Sequence, residues 1–284
     1  MATITNQAAL SYNGITTLSN IAVGELVEVL TVTKTAADTT YTPGGTKTYA
    51  ISLVNSGATA FTGLTITDTL GSYAFNNGTL YPLTYATGSL LYYVNGILQA
   101  TPAIADTAPL TVTGLSVPAG GSAMLVYSAT VNEYAPLGVE DSIVNTVSVT
   151  GGGLAAPVTA TETINASTAP QLSISKSICP ATIAENGTLT YTLTLQNRGN
   201  TAATASDELV ITDTFDPILK DVSVSFNGTV WTEGVHYTYD AATGAFATVT
   251  GALTVPAATY TQDAATGIYT VDPGVSNLVI TGTV

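Results

Sequence analysis

Two sets of three residues could do chemistry together, because each set combines a lysine, an aspartate and an asparagine. The first set is Lys34, Asp68 and Asn145, and the second is Lys176, Asp213 and Asn6. Apolar burial would favour the neutral amine of a lysine, which is a nucleophile, and the protonated carboxyl of an aspartate, which could polarise the asparagine amide. The chain has only four lysines, and two of them occupy matching positions. The elements that hold these residues therefore decide whether they meet.

These positions belong to an internal repeat, which is visible when the chain is aligned with itself. The matched pairs of segments are TVTKT (31–35) with SISKS (173–177), TKTYAISLVNSG (46–57) with TLTYTLTLQNRG (188–199), and LTITDTL (64–70) with LVITDTF (209–215). This alignment places Lys34 on Lys176 and Asp68 on Asp213. The chain is therefore predicted to contain two copies of one domain.

Each copy alternates apolar and polar residues over short runs, as in TYAISL at 48–53. Alternation with a period of two is typical of strands with one buried face. Turn residues separate the runs, and the pairs Asn95-Gly96 and Asn227-Gly228 are typical of tight hairpin turns. The predicted fold class is all-β, with two immunoglobulin-like β-sandwich domains in tandem.

The last strand of the second copy is predicted to lie at the opposite end of the chain. The first copy has a strand at IVNTVSVTGGG (143–153), whereas the second copy stops at Val284 before any equivalent. The segment ITNQAALSYNG (4–14) matches that strand and places Asn6 on Asn145. The predicted organisation is a donor strand at 1–14, a linker or extra strand at 15–30, the first sandwich at 31–153, a linker at 154–170, and the second sandwich, without its last strand, at 171–284.

A sandwich without its last strand exposes an unpaired edge and an open groove of core side chains. Donation of the N-terminal strand of one molecule to the second domain of another would cover both, with Ile4, Asn6, Ala8 and Leu10 facing the groove. Such a head-to-tail contact propagates as a filament unless it closes into a ring. Two alternatives are that the strand folds back onto its own chain, and that the chain is a fragment of a longer array.

Composition excludes several classes of function. The chain has 284 residues, and 5 Lys and Arg against 19 Asp and Glu give a net charge of −14, which argues against nucleic acid or an anionic membrane as a partner. No stretch approaches about 18 uninterrupted apolar residues, so no membrane insertion is predicted, and no signal peptide is visible. No metal-ligand spacing or nucleophile-base motif is present, so we predict no catalytic residues, no metal, no cofactor and no enzyme activity.

The order of motifs resembles the bacterial surface repeat DUF11. The motifs are a Lys-Thr pair, a Gly-rich turn, TYxIxLxNxG, LxITDTL, VPAGG and IxNTxxVTGG, and they extend from Thr31 to Val284, with the displaced strand at 4–14. The resemblance implies an extracellular, immunoglobulin-like stalk or fibre module. The displaced strand departs from an ordinary tandem array and favours a self-assembling subunit.

The two sets of three residues also look like the Lys–Asn isopeptide arrangement of Gram-positive surface proteins. There, a lysine on an early strand attacks an asparagine on the last strand, with the help of a buried acid. The resemblance implies a bond within the chain for Lys34, Asp68 and Asn145, and a bond between chains for the second set. The alternatives are a turn aspartate, a solvated lysine and a strand-end asparagine.

The sequence thus predicts a structural subunit of a fibre or appendage outside the cell, on a cell or spore surface, whose partner is another copy of itself. The alternative is a monomeric adhesin or stalk module that binds a glycan or protein ligand through its loops.

Overall fold

A computed structural model describes residues 2–284, which form two compact units. Of the described residues, domain 1 takes 2–39, 44–132 and 144–164, and domain 2 takes 40–43, 133–143 and 165–284. One short 3-10 helix is present over this range, at Ala205–Asp207. Within residues 2–284, no helix has the length and apolar character needed to cross a bilayer.

The N-terminal arm (residues 2–26) is one antiparallel hairpin, and each of its two sides consists of two short strands. Its strands are β1 (Ala2–Asn6), β2 (Ala9–Tyr12), β3 (Ile15–Leu18) and β4 (Ala22–Leu26). Strand β1 pairs with β4, and β2 pairs with β3. Asn13 and Gly14 form the turn, with φ of 46° and 83°, the conformation that Asn-Gly pairs favour in hairpins. The predicted donor strand at 1–14 is therefore one half of a hairpin, and its other half is the extra strand expected within 15–30.

Most of the remaining strands of the first repeat form two sheets. They are β5 (Leu30–Ala36), β6 (Thr40–Tyr41), β7 (Thr46–Asn55), β8 (Phe61–Asp68), β9 (Tyr73–Phe75), β10 (Gly78–Leu80), β11 (Leu83–Tyr85), β12 (Leu91–Val94), β13 (Ile97–Leu98), β14 (Ala103–Thr107), β15 (Leu110–Val117), β16 (Ser122–Val131), β17 (Ser142–Gly151) and β18 (Val158–Ala166). One sheet has the order β13-β12-β16-β7-β5, with β11 also paired to β16, and the other has the order β14-β15-β8-β17-β18-β6. Strands β9 and β10 pair only with each other. Domain 1 is therefore a β-sandwich in which β8 pairs with β15 on one side and with β17 on the other.

The core of domain 1 lies between these two sheets. Alternate residues of β7, namely Tyr49, Ile51 and Leu53, are buried, as the sequence predicts. From the other sheet, Ile66 of β8 and Val149 of β17 are buried and lie opposite each other in the ladder. The period-two pattern thus directs one face of each strand to the core.

Domain 2 repeats the plan with a smaller second sheet. Its strands are β19 (Leu172–Cys179), β20 (Thr188–Asn197), β21 (Thr212–Thr214), β22 (Lys220–Phe226), β23 (Thr229–Val230), β24 (Tyr237–Asp240), β25 (Ala245–Thr248), β26 (Thr259–Gln262), β27 (Tyr269–Asp272) and β28 (Gly274–Thr283). One sheet has the order β19-β20-β28-β22-β23, the second has only β21-β25-β24, and β26 and β27 pair separately. The all-β fold class with two immunoglobulin-like sandwiches is confirmed.

The repeat extends to individual side chains. Asn55 and Asn197 match in sequence, and both are fully buried. Each donates its side-chain amide to the carbonyl oxygen four residues ahead and accepts the N–H of a glycine two residues ahead, Gly57 or Gly199. The two copies therefore share the turn that follows this strand.

Two parts of the predicted organisation differ in the structure. The segment 154–170, predicted as a linker, contains β18, because its alternating sequence buries residues such as Ile164. The segment 133–143, predicted within the first sandwich, belongs to domain 2. There, the N–H of Tyr269 donates to the carbonyl oxygen of Glu133 at 2.9 Å.

The arm should be the least protected part of the monomeric chain. Every side chain described in it is exposed, and an isolated two-stranded hairpin is marginally stable in water. We expect its backbone amides to exchange with deuterium within seconds, while those of β7 and β16 remain protected for much longer. Hydrogen-exchange mass spectrometry measures both, and comparable protection in the arm and in β7 would contradict this prediction.

Candidate functional site

The structure brings Lys34, Asp68 and Asn145 together inside domain 1. Lys34 lies on β5, and Asp68 is the last residue of β8, where it pairs with Val147 of β17. Asn145 lies on β17, two residues before Val147 and on the same face. The side chains of Lys34 and Asp68 have no exposed surface, and Asn145 is fully buried. Three strands from two sheets therefore direct an amine, a carboxylate and a carboxamide into one core.

The hydroxyl of Tyr127 joins the three side chains. Lys34 forms a buried ion pair with Oδ2 of Asp68, and its Nζ also donates to the Tyr127 hydroxyl at 3.3 Å. The Nδ2 of Asn145 donates to the same hydroxyl at 3.1 Å, and the hydroxyl donates to Oδ2 of Asp68 at 2.7 Å. One oxygen is thus hydrogen-bonded to all three groups.

A tight turn after β8 donates hydrogen bonds to Oδ1 of Asn145 and to Oδ1 of Asp68. The N–H of Gly71 donates to Oδ1 of Asn145 at 3.1 Å, and the Thr69 hydroxyl donates to the same oxygen at 3.3 Å. The N–H of Leu70 donates to Oδ1 of Asp68 at 3.0 Å. Leu70 has a φ of 51°, a left-handed conformation that is uncommon for a residue with a branched side chain. The turn therefore accepts backbone strain while it directs these N–H groups to the site.

Burial governs the electrostatics of the site. Desolvation lowers the pKa of Lys34 to about 8, although the charge of Asp68 and its hydrogen bond act in the opposite direction, as does the more weakly acting Glu162. Burial also raises the pKa of the Tyr127 hydroxyl well above its usual value, so this group stays protonated. The Lys34 ammonium lies 4.9 Å from the centre of the Tyr49 ring. The site thus holds an amine that gives up its proton more readily than an ordinary lysine.

This geometry separates the alternatives considered for the three residues. Lys34 is not a solvated strand-end lysine, because it is buried against Asp68. Asp68 does bond to the local backbone at Leu70, but its second oxygen faces Lys34 and Tyr127. An amine, a carboxyl group and a carboxamide that are all hydrogen-bonded to one tyrosine hydroxyl are the components of an amide exchange between side chains.

The second lysine and aspartate also form an ion pair, in domain 2. The side chains of Lys176 and Asp213 are 38% and 18% exposed, compared with 0% for both members of the first pair. The ammonium lies 4.4 Å from the centre of the Tyr191 ring, which matches the Tyr49 ring of domain 1. The third predicted member, Asn6, lies on β1 of the arm, opposite Ala22. Among the residues that the structure describes, domain 2 therefore has the amine and the carboxylate in place with no asparagine bonded to them.

An uncovered apolar groove lies beside this second pair. Leu172 and Ile174 on β19 are 42% and 57% exposed. Their matched residues in domain 1, Leu30 and Val32, are 5% and 7% exposed. The same face of the same strand is thus core in one domain and surface in the other.

The groove has a volume of about 200 Å³ and lies between β19 and the segment that leads into β21. The side chains that line it include Leu172, Ile174, Leu195, Leu209, Val210, Ile211 and Leu253. The matched strand of domain 1, β8, lies between β15 and β17, whereas β21 is at the edge of its sheet in the part of the chain that the structure describes. The groove and the free edge are at the place that β17 fills in domain 1.

Sequence comparison did not identify Tyr127 or the turn at 69–71 as parts of the site. Tyr127 pairs with Tyr49 across β16 and β7. The matched pair in domain 2 is Ile280 with Tyr191, so a search for residues shared by both repeats passes over Tyr127. The inward position of Tyr127 in the alternating strand MLVYSATV was the available signal.

No family model and no curated protein matches the sequence, so the resemblance to DUF11 remains a prediction. In structure, the chain is similar to the pilus backbone protein RrgB of Streptococcus pneumoniae, with 12% identity and a TM-score of 0.35 over 86% of this chain and 55% of that one. It is also similar to BcpA, the major pilin subunit of Bacillus cereus, with 13% identity and a TM-score of 0.37 over 96% and 73% of the two chains.

Red sea bream transglutaminase is a further similar structure, with 12% identity and a TM-score of 0.28 over 87% of this chain and 31% of that one. The chain spans about half the length of RrgB. At such low identities and TM-scores, the role of each residue in this chain rests on its own geometry.

Proposed function

We propose that the protein is a structural subunit of an extracellular fibre, on a cell or spore surface, that assembles head to tail by donation of the N-terminal arm. The arm of one copy fills the groove of domain 2 in the next copy. The observation that carries this proposal is the contrast between Ile174, which is 57% exposed, and its buried counterpart Val32. An uncovered sandwich core beside a free strand edge favours the addition of a strand.

The sequence of the arm supports its role as the occupant of the groove. In the first repeat, β17 directs alternate residues inward, and all are buried: Ile143, Asn145, Val147 and Val149. The matched residues of the arm are Ile4, Asn6, Ala8 and Leu10. Ile4 and Leu10 are exposed in the arm, so their burial in a groove would remove two large apolar side chains from water.

The hairpin form of the arm supports donation of both strands rather than one. In domain 1, β17 and its neighbour β18 are consecutive strands of one sheet. The two halves of the arm are likewise consecutive and paired. We infer that β1 and β2 occupy the place of β17, and that β3 and β4 occupy the place of β18.

The order of elements supports donation to another molecule. The hairpin that closes domain 1, β17–β18, leads directly into β19, the first strand of the second repeat. The arm leads in the same way into β5, the first strand of domain 1, which already has its closing strand. By the same order, we expect the arm to complete a second repeat that lies immediately before domain 1 in a fibre. The domain 2 of another copy would be that repeat.

Negative-stain electron microscopy of the purified 284-residue chain, with and without residues 1–14, tests the proposal. The full chain should form filaments, and the shortened chain should stay as single particles because it lacks the donated strand. It should remain folded, because every side chain described in the arm is exposed. Filaments from the shortened chain would overturn arm donation. Single particles from the full chain, at high concentration, would instead favour a monomeric adhesin or stalk module.

A further inference from the structure

We propose that each Lys–Asp pair is an autocatalytic cross-linking centre. The pair in domain 1 joins Lys34 to Asn145 of the same chain, and the pair in domain 2 joins Lys176 to Asn6 of a second copy. The second bond rests on the proposed function, since only arm donation brings Asn6 to Lys176. The first bond needs nothing outside domain 1.

The nucleophile and the leaving group of the first bond are held on one shared hydrogen-bond acceptor. The Nζ of Lys34 and the Nδ2 of Asn145 both donate to the Tyr127 hydroxyl, at 3.3 and 3.1 Å. All three side chains are buried in the core. Because the two groups are already held in one folded domain, their reaction is effectively unimolecular, and this lowers the entropic part of the activation barrier.

The protonation states required are those that burial favours. Transfer of the Lys34 proton to Asp68 gives a neutral amine beside a neutral carboxyl group, and neutral groups are favoured over charged ones where water is excluded. The lowered pKa of Lys34 agrees with this direction. The charged and titratable groups around the amine come from four strands and consist of Asp68 on β8, Tyr127 on β16, Tyr49 on β7 and Glu162 on β18.

The reaction is an exchange of one amide for another and needs no oxidant or cofactor. The lone pair of the Lys34 nitrogen forms a bond to Cγ of Asn145, and the carbonyl π electrons move to Oδ1. Asp68 donates its proton to the departing Nδ2 and receives one from the attacking nitrogen. The bond between Cγ and Nδ2 then breaks, and ammonia leaves. The product is a secondary amide between the two side chains.

The turn after β8 stabilises the charge that develops on the carbonyl oxygen. The N–H of Gly71 and the hydroxyl of Thr69 already donate to Oδ1 of Asn145, at 3.1 and 3.3 Å. Donors fixed in advance at such an oxygen stabilise a tetrahedral intermediate in a site without water. The left-handed conformation of Leu70 is what brings Gly71 to this position.

Domain 2 has the same amine and carboxylate but a different surrounding. The rings of Tyr191 and Phe215 lie 4.4 and 5.2 Å from the Lys176 ammonium. Ile280 takes the position of Tyr127, so the hydroxyl that joins the groups in domain 1 is missing here. This centre also requires the arm of another copy to bind first. We therefore expect the bond between chains to form more slowly than the bond within domain 1.

Mass spectrometry and denaturing electrophoresis of the full chain test the two bonds separately. Loss of one ammonia lowers the mass by about 17 Da relative to the sequence, and digestion should release a branched peptide that joins Lys34 to Asn145. Boiled fibres should run as a ladder of multiples of the chain, with a branched peptide that joins Lys176 to Asn6. Chains with the mass of the sequence and no branched peptide would overturn the proposal for domain 1.

Matched variants assign each signal to its centre. Asp68→Asn keeps the size of the side chain, and it should restore the sequence mass while the ladder persists. Asp213→Asn should collapse the ladder to one band that still lacks about 17 Da. The mass of the unsubstituted chain decides the question for domain 1 even if Asp68→Asn fails to fold. A ladder that survives Asp213→Asn, with no branched peptide at Lys176, would overturn the proposal for domain 2.

Microscopy of the same samples separates this proposal from the proposed function. If filaments are seen by microscopy but give a single band after boiling, arm donation is supported and the bond between chains is excluded. Single particles with a mass deficit of about 17 Da would exclude arm donation, and with it the bond between chains, and retain the bond within domain 1.

Discussion

The double variant Ile4→Asp with Leu10→Asp should remain monomeric at concentrations at which the unsubstituted chain forms fibres. Both positions match inward residues of β17 and would face the groove of domain 2 in the next copy. Burial of a large apolar side chain contributes about 1.5–3 kcal/mol, so the loss of two weakens association by a factor on the order of 10² to 10⁴. The buried carboxylates add a further cost. Sedimentation velocity measures the size distribution directly.

The matched control is Thr5→Asp with Ala9→Asp. These substitutions add the same charge on the same strand, but on the face that a donated strand turns away from the groove. The matched residue of Thr5 in domain 1, Val144, is 51% exposed, so fibres should still form. Equal loss of fibres in the two double variants would indicate a charge effect and contradict the inward placement of Ile4 and Leu10.

Replacement of Asp68 with Ala should lower the free energy of unfolding of domain 1 by about 3–5 kcal/mol, because removal of one member of a buried ion pair leaves the other without compensation. Lys34 has no exposed surface through which water could replace the lost carboxylate. If the cross-link forms, the variant loses that constraint as well, and the direction of the effect is unchanged.

Asp213→Ala is the matched substitution in domain 2 and should cost much less. Lys176 is 38% exposed, so water can solvate the ammonium, and partly exposed pairs contribute about 0–1 kcal/mol. Hydrogen exchange of β7 and β16 reports on domain 1, and the fluorescence of Trp231, the one tryptophan of the chain, reports on domain 2. A larger loss from Asp213→Ala than from Asp68→Ala in the monomer would contradict the difference in burial on which this prediction depends.

Strand periodicity predicted the fold well, because burial on one face repeats every two residues. Tyr49, Ile51 and Leu53 are all core residues, as expected. The Asn95-Gly96 and Asn227-Gly228 pairs form hairpin turns with positive φ at each residue, also as expected. Local patterns of this kind need no information from distant parts of the chain.

Features that depend on contacts between distant strands were predicted less well. Tyr127 enters the site through strands that are far apart in sequence, and its match in the other repeat is Ile280. The conformation of Leu70, which directs the N–H of Gly71 to Asn145, follows from the turn and not from residue type. The segment 154–170 was predicted as a linker because it separates two repeats, yet it supplies β18.

The two ends of a fibre built from this subunit would be chemically different. One terminus would display the arm with Ile4 and Leu10 in water, and the other would display the open groove of domain 2 with Lys176 paired to Asp213 but not cross-linked. Elongation at the two tips would then proceed at different rates, because one tip would present an isolated hairpin, which is marginally stable in water, and the other a groove in a folded sandwich. A short peptide that copies residues 2–14 would block growth at the groove end alone, so such a fibre would have a direction that its growth reveals.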